Sequence, residues 1–173
     1  MRVKIELLAN LAVIITALLI STTVIREHWF QTTISSLSHA AAQTSTPPNN
    51  KLELRGVKWD IADKTLVMAL STACHFCEAS TPFYRQLTRS KVVQAKRLAV
   101  IAVFPQEQKE AETYMKANEI LATTVLSTPL QDLGASATPT LFLVDRTGKV
   151  EKMWVGVLSP AQQNDLLAAL AKV

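Results

Sequence analysis

The stretch Cys74-His75-Phe76-Cys77 holds the residue types best suited to covalent chemistry, and these are the chain's two cysteines. Thiols at positions i and i+3 share one face of a helical turn and can close into a bond. If a helix starts at the pair, Cys74 stands at its N-terminus. Unpaired backbone N–H groups and the helix dipole favour a thiolate there. A thiolate attacks a substrate disulfide, and a second thiol then resolves the mixed disulfide. This assigns Cys74 as nucleophile and Cys77 as resolving thiol. Two cysteines are also half of a metal site, or a pair of inert core thiols. The chain has three histidines, and His28 and His39 lie far upstream of the pair. That leaves too few ligands for a four-cysteine zinc or iron–sulfur centre. His75 either stabilises the thiolate when protonated or is an exposed spacer. Phe76 belongs either to an apolar rim where a partner docks or to the core.

The elements around the pair support the chemical reading. Thr65 to Leu70, TLVMAL, is a continuous apolar run suited to a strand buried on both faces. A helix is expected from the cysteine pair through Tyr84 and Leu87, with Pro82 inside it as a kink. Leu98 to Phe104, LAVIAVF, is a second buried strand ended by Pro105. Ala111, Tyr114 and Met115 then fall on one helical face. Leu141 to Val144 and Val150 to Val155 form an antiparallel hairpin across Arg146-Thr147-Gly148-Lys149. Ser159, Pro160 and Gln162 open a last helix through a capping box, with Leu166, Leu167 and Leu170 on its buried side. Leu52 to Val57 is a further short strand candidate. The fold class that follows is α/β, a mixed sheet covered by helices. Thr138-Pro139-Thr140 stands just before a buried strand, where a cis proline fits.

Upstream of this domain, Leu7 to Ile25 is an uncharged, mostly apolar run near the ~20 residues a helix needs to cross a bilayer. Arg2 and Lys4 precede it, while Arg26 and Glu27 cancel after it, so the amino end stays in the cytoplasm and the rest faces the periplasm. Trp29 and Phe30 would sit at the outer headgroup level. A cleaved signal peptide is the competing interpretation, with Ala40-Ala41-Ala42 as a distant cleavage site. From Gln31 to Asn50 the composition turns to Ser, Thr, Ala, Gln, Pro and Asn, with no apolar period. The expected organisation is a membrane anchor over 1–30, a flexible tether over 31–50 and one domain over 51–173. Net charge is +4, from 18 basic and 14 acidic residues, and the basic residues are scattered with few aromatics among them. Nucleic acid is therefore not expected as a partner.

Taken in order, TLVMAL, CHFC, Pro82, LAVIAVF, a helix and ATPTLFLVDRTGKV with Gly156 and a terminal helix resemble the thioredoxin superfamily. Within it the chain resembles the membrane-anchored TlpA/ResA-like branch, whose extra strand–helix insertion matches the long stretch between Cys77 and Pro139. The resemblance implies a thioredoxin-like fold, a cis Thr138–Pro139 bond packed beside the cysteines, and a substrate strand that pairs with the Thr138 backbone. It implies protein thiols and disulfides of the periplasm as substrates and a membrane electron donor or acceptor. No cofactor is expected beyond the redox-active Cys74–Cys77 disulfide. Three positions depart from the pattern: Ala73 replaces the usual Trp, Met68 the buried Asp of thioredoxins, and Ser80 the Glu common in this branch. The usual proton acceptor for Cys77 is thus missing. Glu78 is either its substitute or a solvated carboxylate at a helix start.

The leading expectation is a membrane-tethered thiol–disulfide oxidoreductase that reduces disulfides of partner proteins, such as apocytochromes awaiting haem. A redoxin-type thiol peroxidase is one alternative. It wants Thr three residues before the reactive cysteine and Pro earlier, where this chain has Ser71 and Val67. A non-enzymatic tethered module that holds a partner in the Thr138-Pro139 groove is the other.

Overall fold

The computed structural model describes residues 43–45, 51–95 and 97–172. The apolar run Leu7 to Ile25 and the aromatic pair Trp29 and Phe30 lie outside them. Among the described residues no helix is long and apolar enough to cross a membrane.

Six strands make one sheet: β1 (Gln43–Ser45), β2 (Lys64–Ala69), β3 (Leu98–Phe104), β4 (Thr124–Ser127), β5 (Thr140–Asp145) and β6 (Val150–Val155). Among the described residues four α-helices connect and cover them: α1 (His75–Thr88), α2 (Lys91–Gln94), α3 (Gln108–Ala117) and α4 (Pro160–Leu170). The strand order is β1-β6-β5-β2-β3-β4. β2, β3 and β4 run parallel, while β5 is antiparallel to β2 and to β6. The sheet is mixed, as the alternation of strands, helices and hairpin requires.

The two apolar runs sit at the centre of the sheet because they have side chains for both faces. Leu66, Met68 and Leu70 join a cluster with Tyr84 and Leu87 of α1, Ala111 and Met115 of α3, and Leu166 and Leu170 of α4. Val67 and Ala69 face the other way, against Leu52, Leu54, Leu133 and Phe142. The longer helices therefore crowd one face. Loop residues and a short 3-10 turn at Leu130–Leu133 close the other.

Two local expectations change. Leu52 to Val57 is not a strand: Lys51 makes a single bridge to Lys149, and the chain turns at Arg55–Gly56, where Gly56 has a φ of 78°. Leu52 and Leu54 serve as core side chains instead. Gln43–Ser45, inside the segment read as a tether, pairs antiparallel with Val155–Met153. The pairing covers the edge of β6. Gln, Thr and Ser carry no apolar alternation that would announce it.

The β5–β6 hairpin closes on Asp145, whose carboxylate accepts from the backbone N–H groups of Thr147 (2.8 Å) and Lys149 (3.0 Å). Gly148 there has a φ of 86°, and a Cβ would meet Trp59 Nε1 at 2.9 Å, so position and space both call for glycine. At the start of α4, Ser159 Oγ accepts from the Gln162 N–H while the Gln162 side chain accepts from the Ser159 N–H at 3.0 Å. Replacing Ser159 by Ala removes one half of this box. The expected loss is about 1 kcal/mol of stability, read as a lower denaturant midpoint at unchanged slope.

Candidate active site

Strand register brings the candidate residues to one edge of the sheet. β2 and β3 end there, and Leu70 extends β2 through its N–H to Val103 O (2.9 Å). A loop over Ser71–Ala73 then leads into α1. β5 runs the other way, with Thr140 opposite Ala69, so Thr138 and Pro139 enter the sheet where β2 leaves it. Clefts outside the carboxyl ends of parallel strands are the usual place for ligands.

Cys74 is the N-cap residue of α1, with φ −102° and ψ 108°. Its sulfur accepts the Cys77 N–H at 3.1 Å, as capping side chains do. Sγ also donates to the carbonyl of Thr138 at 3.4 Å. The Thr138–Pro139 bond is cis. Cys74, Cys77, Thr138 and Pro139 therefore meet, and both cysteines are free thiols. His75 and Phe76 project outward. Phe76 is 54% exposed, so it is rim and not core. The His75 ring lies 5.9 Å from that of Phe76, and no hydrogen bond joins it to either sulfur.

The two sulfurs differ sharply in access. Cys74 is half-buried, whereas Cys77 is fully buried beneath it in the α-helical face of the core. Burial pushes the Cys77 thiol up to about 12, and the adjacent Cys74 side chain adds to the shift. Met68, where thioredoxins carry an acid, is fully buried among apolar side chains. Ser80 is buried, but its hydroxyl donates to the Phe76 carbonyl at 2.8 Å. Glu78 is exposed in the first turn, where a carboxylate suits the helix dipole. It does not replace the missing buried acid.

Other residues shape the site without a signal in the motif. Gln106, just beyond β3, donates to Ser71 Oγ at 2.9 Å and accepts the Thr72 N–H at 3.4 Å. The Thr72 hydroxyl donates to Glu110 of α3. These bonds fix the loop that delivers Cys74 to the helix start. Nothing at the sequence level links Gln106 to a loop 35 positions earlier. The parallel pairing of β2 and β3 creates the link.

Cys77 makes a signed prediction. A thiol ordinarily near 9.0 and held near about 12 in the fold keeps its proton more tightly when folded. Its contribution to stability is complete below pH 9 and disappears as pH rises through about 12. The reduced chain should thus lose stability relative to Cys77→Ala between those limits. Urea midpoints of both proteins, measured from pH 7 upward, should converge; a constant gap would contradict the assignment.

The family model for the thioredoxin-like domain matches residues 61–171. No curated protein matches the chain by sequence. Among solved structures, a Chlorobium tepidum protein assigned as the thiol:disulfide interchange protein DsbE is 23% identical, with a TM-score of 0.54 over 74% of this chain and 97% of that one. A DsbF homologue from Corynebacterium diphtheriae is 15% identical, with a TM-score of 0.54 over 78% and 85%. A thiol-disulfide isomerase from Corynebacterium glutamicum is 14% identical, with a TM-score of 0.53 over 77% and 97%. At these identities the likeness speaks for the fold. With the family model spanning β2 to β6, α1 and α4, this chain belongs to the thioredoxin-like domain family.

Proposed function

We propose that this chain is a thiol–disulfide oxidoreductase that reduces disulfides of partner proteins through Cys74 and Cys77. The observation that carries this reading is the contrast between the sulfurs: one reachable at a helix N-terminus, the other buried one turn behind it. Only Cys74 meets an incoming disulfide. Its thiolate attacks one substrate sulfur, the substrate S–S bond breaks, and the electron pair leaves on the second substrate sulfur, which takes a proton from water. Cys77 then loses its proton and attacks Cys74. The Cys74–Cys77 bond forms, the mixed disulfide breaks, and the substrate leaves with two thiols. Two electrons have passed from the chain to the substrate, and an external reductant must return them.

The rest of the site suits a protein substrate. Phe76 gives an exposed apolar rim beside Cys74. In this reading a substrate strand lies along Thr138, adding its backbone to the site by strand pairing. Solved structures of similar fold carry the descriptions thiol:disulfide interchange protein and thiol-disulfide isomerase. The peroxidase alternative gains no support, because the Ser71 hydroxyl serves the Gln106 contact. The membrane tether and periplasmic location rest on the apolar run Leu7 to Ile25 and the charges around it. A membrane electron carrier is the reductant this placement calls for.

Three measurements test the reading on the full-length chain. Cys74→Ser should reduce disulfide reduction of a model protein substrate to background. Cys77→Ser should instead accumulate a mixed disulfide through Cys74, visible as a reducible adduct on a denaturing gel. Titration against redox buffers should give a potential nearer about −270 mV than about −120 mV. A Cys74→Ser variant with native turnover would overturn the proposal, and a potential at the upper value would reverse the direction of electron flow.

A further inference from the structure

The nucleophile is delivered by a loop with no apolar grip on the fold. Ser71 and Thr72 are half-buried and Ala73 is exposed, and none of the three has a long apolar side chain to anchor it. Yet this loop dictates the backbone at Cys74. The Cys74 N–H donates to Ser71 O at 3.3 Å and closes a turn over Ser71–Cys74. That turn hands Cys74 to α1 with φ −102° and ψ 108°, the extended geometry of an N-cap. From there its sulfur receives the Cys77 N–H at 3.1 Å.

One side chain from outside the loop grips it at two successive residues. Gln106 donates through Nε2 to Ser71 Oγ at 2.9 Å and accepts the Thr72 N–H on Oε1 at 3.4 Å. The Thr72 N–H can only donate, which fixes which end of the carboxamide faces which residue. The 2.9 Å bond is the firm one, and the 3.4 Å contact is long. Ser71 Oγ also accepts the Ala73 N–H at 3.4 Å, so Gln106 orients a hydroxyl that spans the turn from within. Gln106 is itself fixed. It lies two residues beyond the end of β3, and its carbonyl accepts from Ser127 Oγ of β4 at 2.7 Å. Beside it the Thr128 N–H donates to Phe104 O at 2.9 Å. The loop is thereby referenced to the ends of two sheet strands, and a site held by rigid elements keeps its geometry better than one held by a loop alone.

We propose that Gln106 is a positioning residue for the nucleophile: its carboxamide fixes the Ser71–Ala73 turn and so holds the Cys74 sulfur on the Cys77 N–H, where a thiolate is favoured. This rests on the exchange reaction proposed above and concerns its first step. Gln106 acts through Ser71 and Thr72 and takes no part in the exchange of bonds. Without the carboxamide the turn has other conformations open to it, and Cys74 leaves the cap for part of the time. Its sulfur then lacks the backbone N–H and the helix terminus that favour a negative charge. The consequence is a nucleophile that is weaker at neutral pH, not one that is harder to reach. A residue that merely stabilised the fold would act the other way, because loosening the domain exposes thiols.

Alkylation of the reduced full-length chain with iodoacetamide, read by peptide mass spectrometry, follows the Cys74 thiolate. Gln106→Met keeps the length of the side chain and removes both polar ends. It should slow labelling of Cys74 at neutral pH by about three- to tenfold, the scale of one lost hydrogen bond. At about pH 10, where an ordinary thiol ionises without help, it should match the native rate. Ser71→Ala removes the other partner of the 2.9 Å bond and should reproduce this pattern. The double variant should be slowed by less than the product of the two single effects, because both remove one interaction. Ser159→Ala, which weakens the domain at α4 instead, should label at the native rate. A native rate for Gln106→Met at neutral pH, equal slowing at both pH values, or single effects that multiply would overturn the positioning role and leave the exchange reading intact. A native chain whose Cys74 resists labelling at both pH values would overturn the exchange reading itself, and this proposal with it.

Discussion

At the head of α1, one helical turn carries its two sulfurs across a solvent boundary. Cys74 caps the helix and receives a backbone N–H from Cys77 at 3.1 Å, while Cys77 is sealed into the core. Helix periodicity imposes the spacing and the sheet imposes the burial. Because β2 is buried on both faces, the helix that follows must return across the sheet, and its inward side chains enter the cluster built on Leu66, Met68 and Leu70. Cys77, Tyr84 and Leu87 are those side chains. Cys74 escapes burial because it precedes the first helical residue. Thr138 meets it because β5 pairs antiparallel with β2 and begins where β2 ends.

Much of this was legible in the sequence because it depends on local rules. Apolar runs without polar interruption mark LAVIAVF as a strand with both faces covered, and β3 spans the same residues. Cap chemistry places the start of α4 at Ser159, Pro160 and Gln162. The cysteine pair lies between a buried strand and an amphipathic helix, which fixes which thiol is outer and which is inner. Thr138 and Pro139 came from family resemblance, since nothing local ties position 138 to position 74.

What stayed hidden depends on pairing between distant segments. Gln43–Ser45 has no apolar pattern, and its strand exists only because β6 offers an open edge. Leu52 to Leu54 alternates like a strand, yet a turn at Gly56 converts its leucines into a cover for the sheet. Gln106 and Glu110 reach the Ser71–Thr72 loop only because β3 lies beside β2.

The most direct test of the central claim is the alkylation of the two cysteines in the reduced, native, full-length chain at neutral pH, followed by peptide mass spectrometry. The account predicts label on Cys74 alone, with Cys77 modified only once the protein is unfolded. Equal labelling of both, or faster labelling of Cys77, would contradict it.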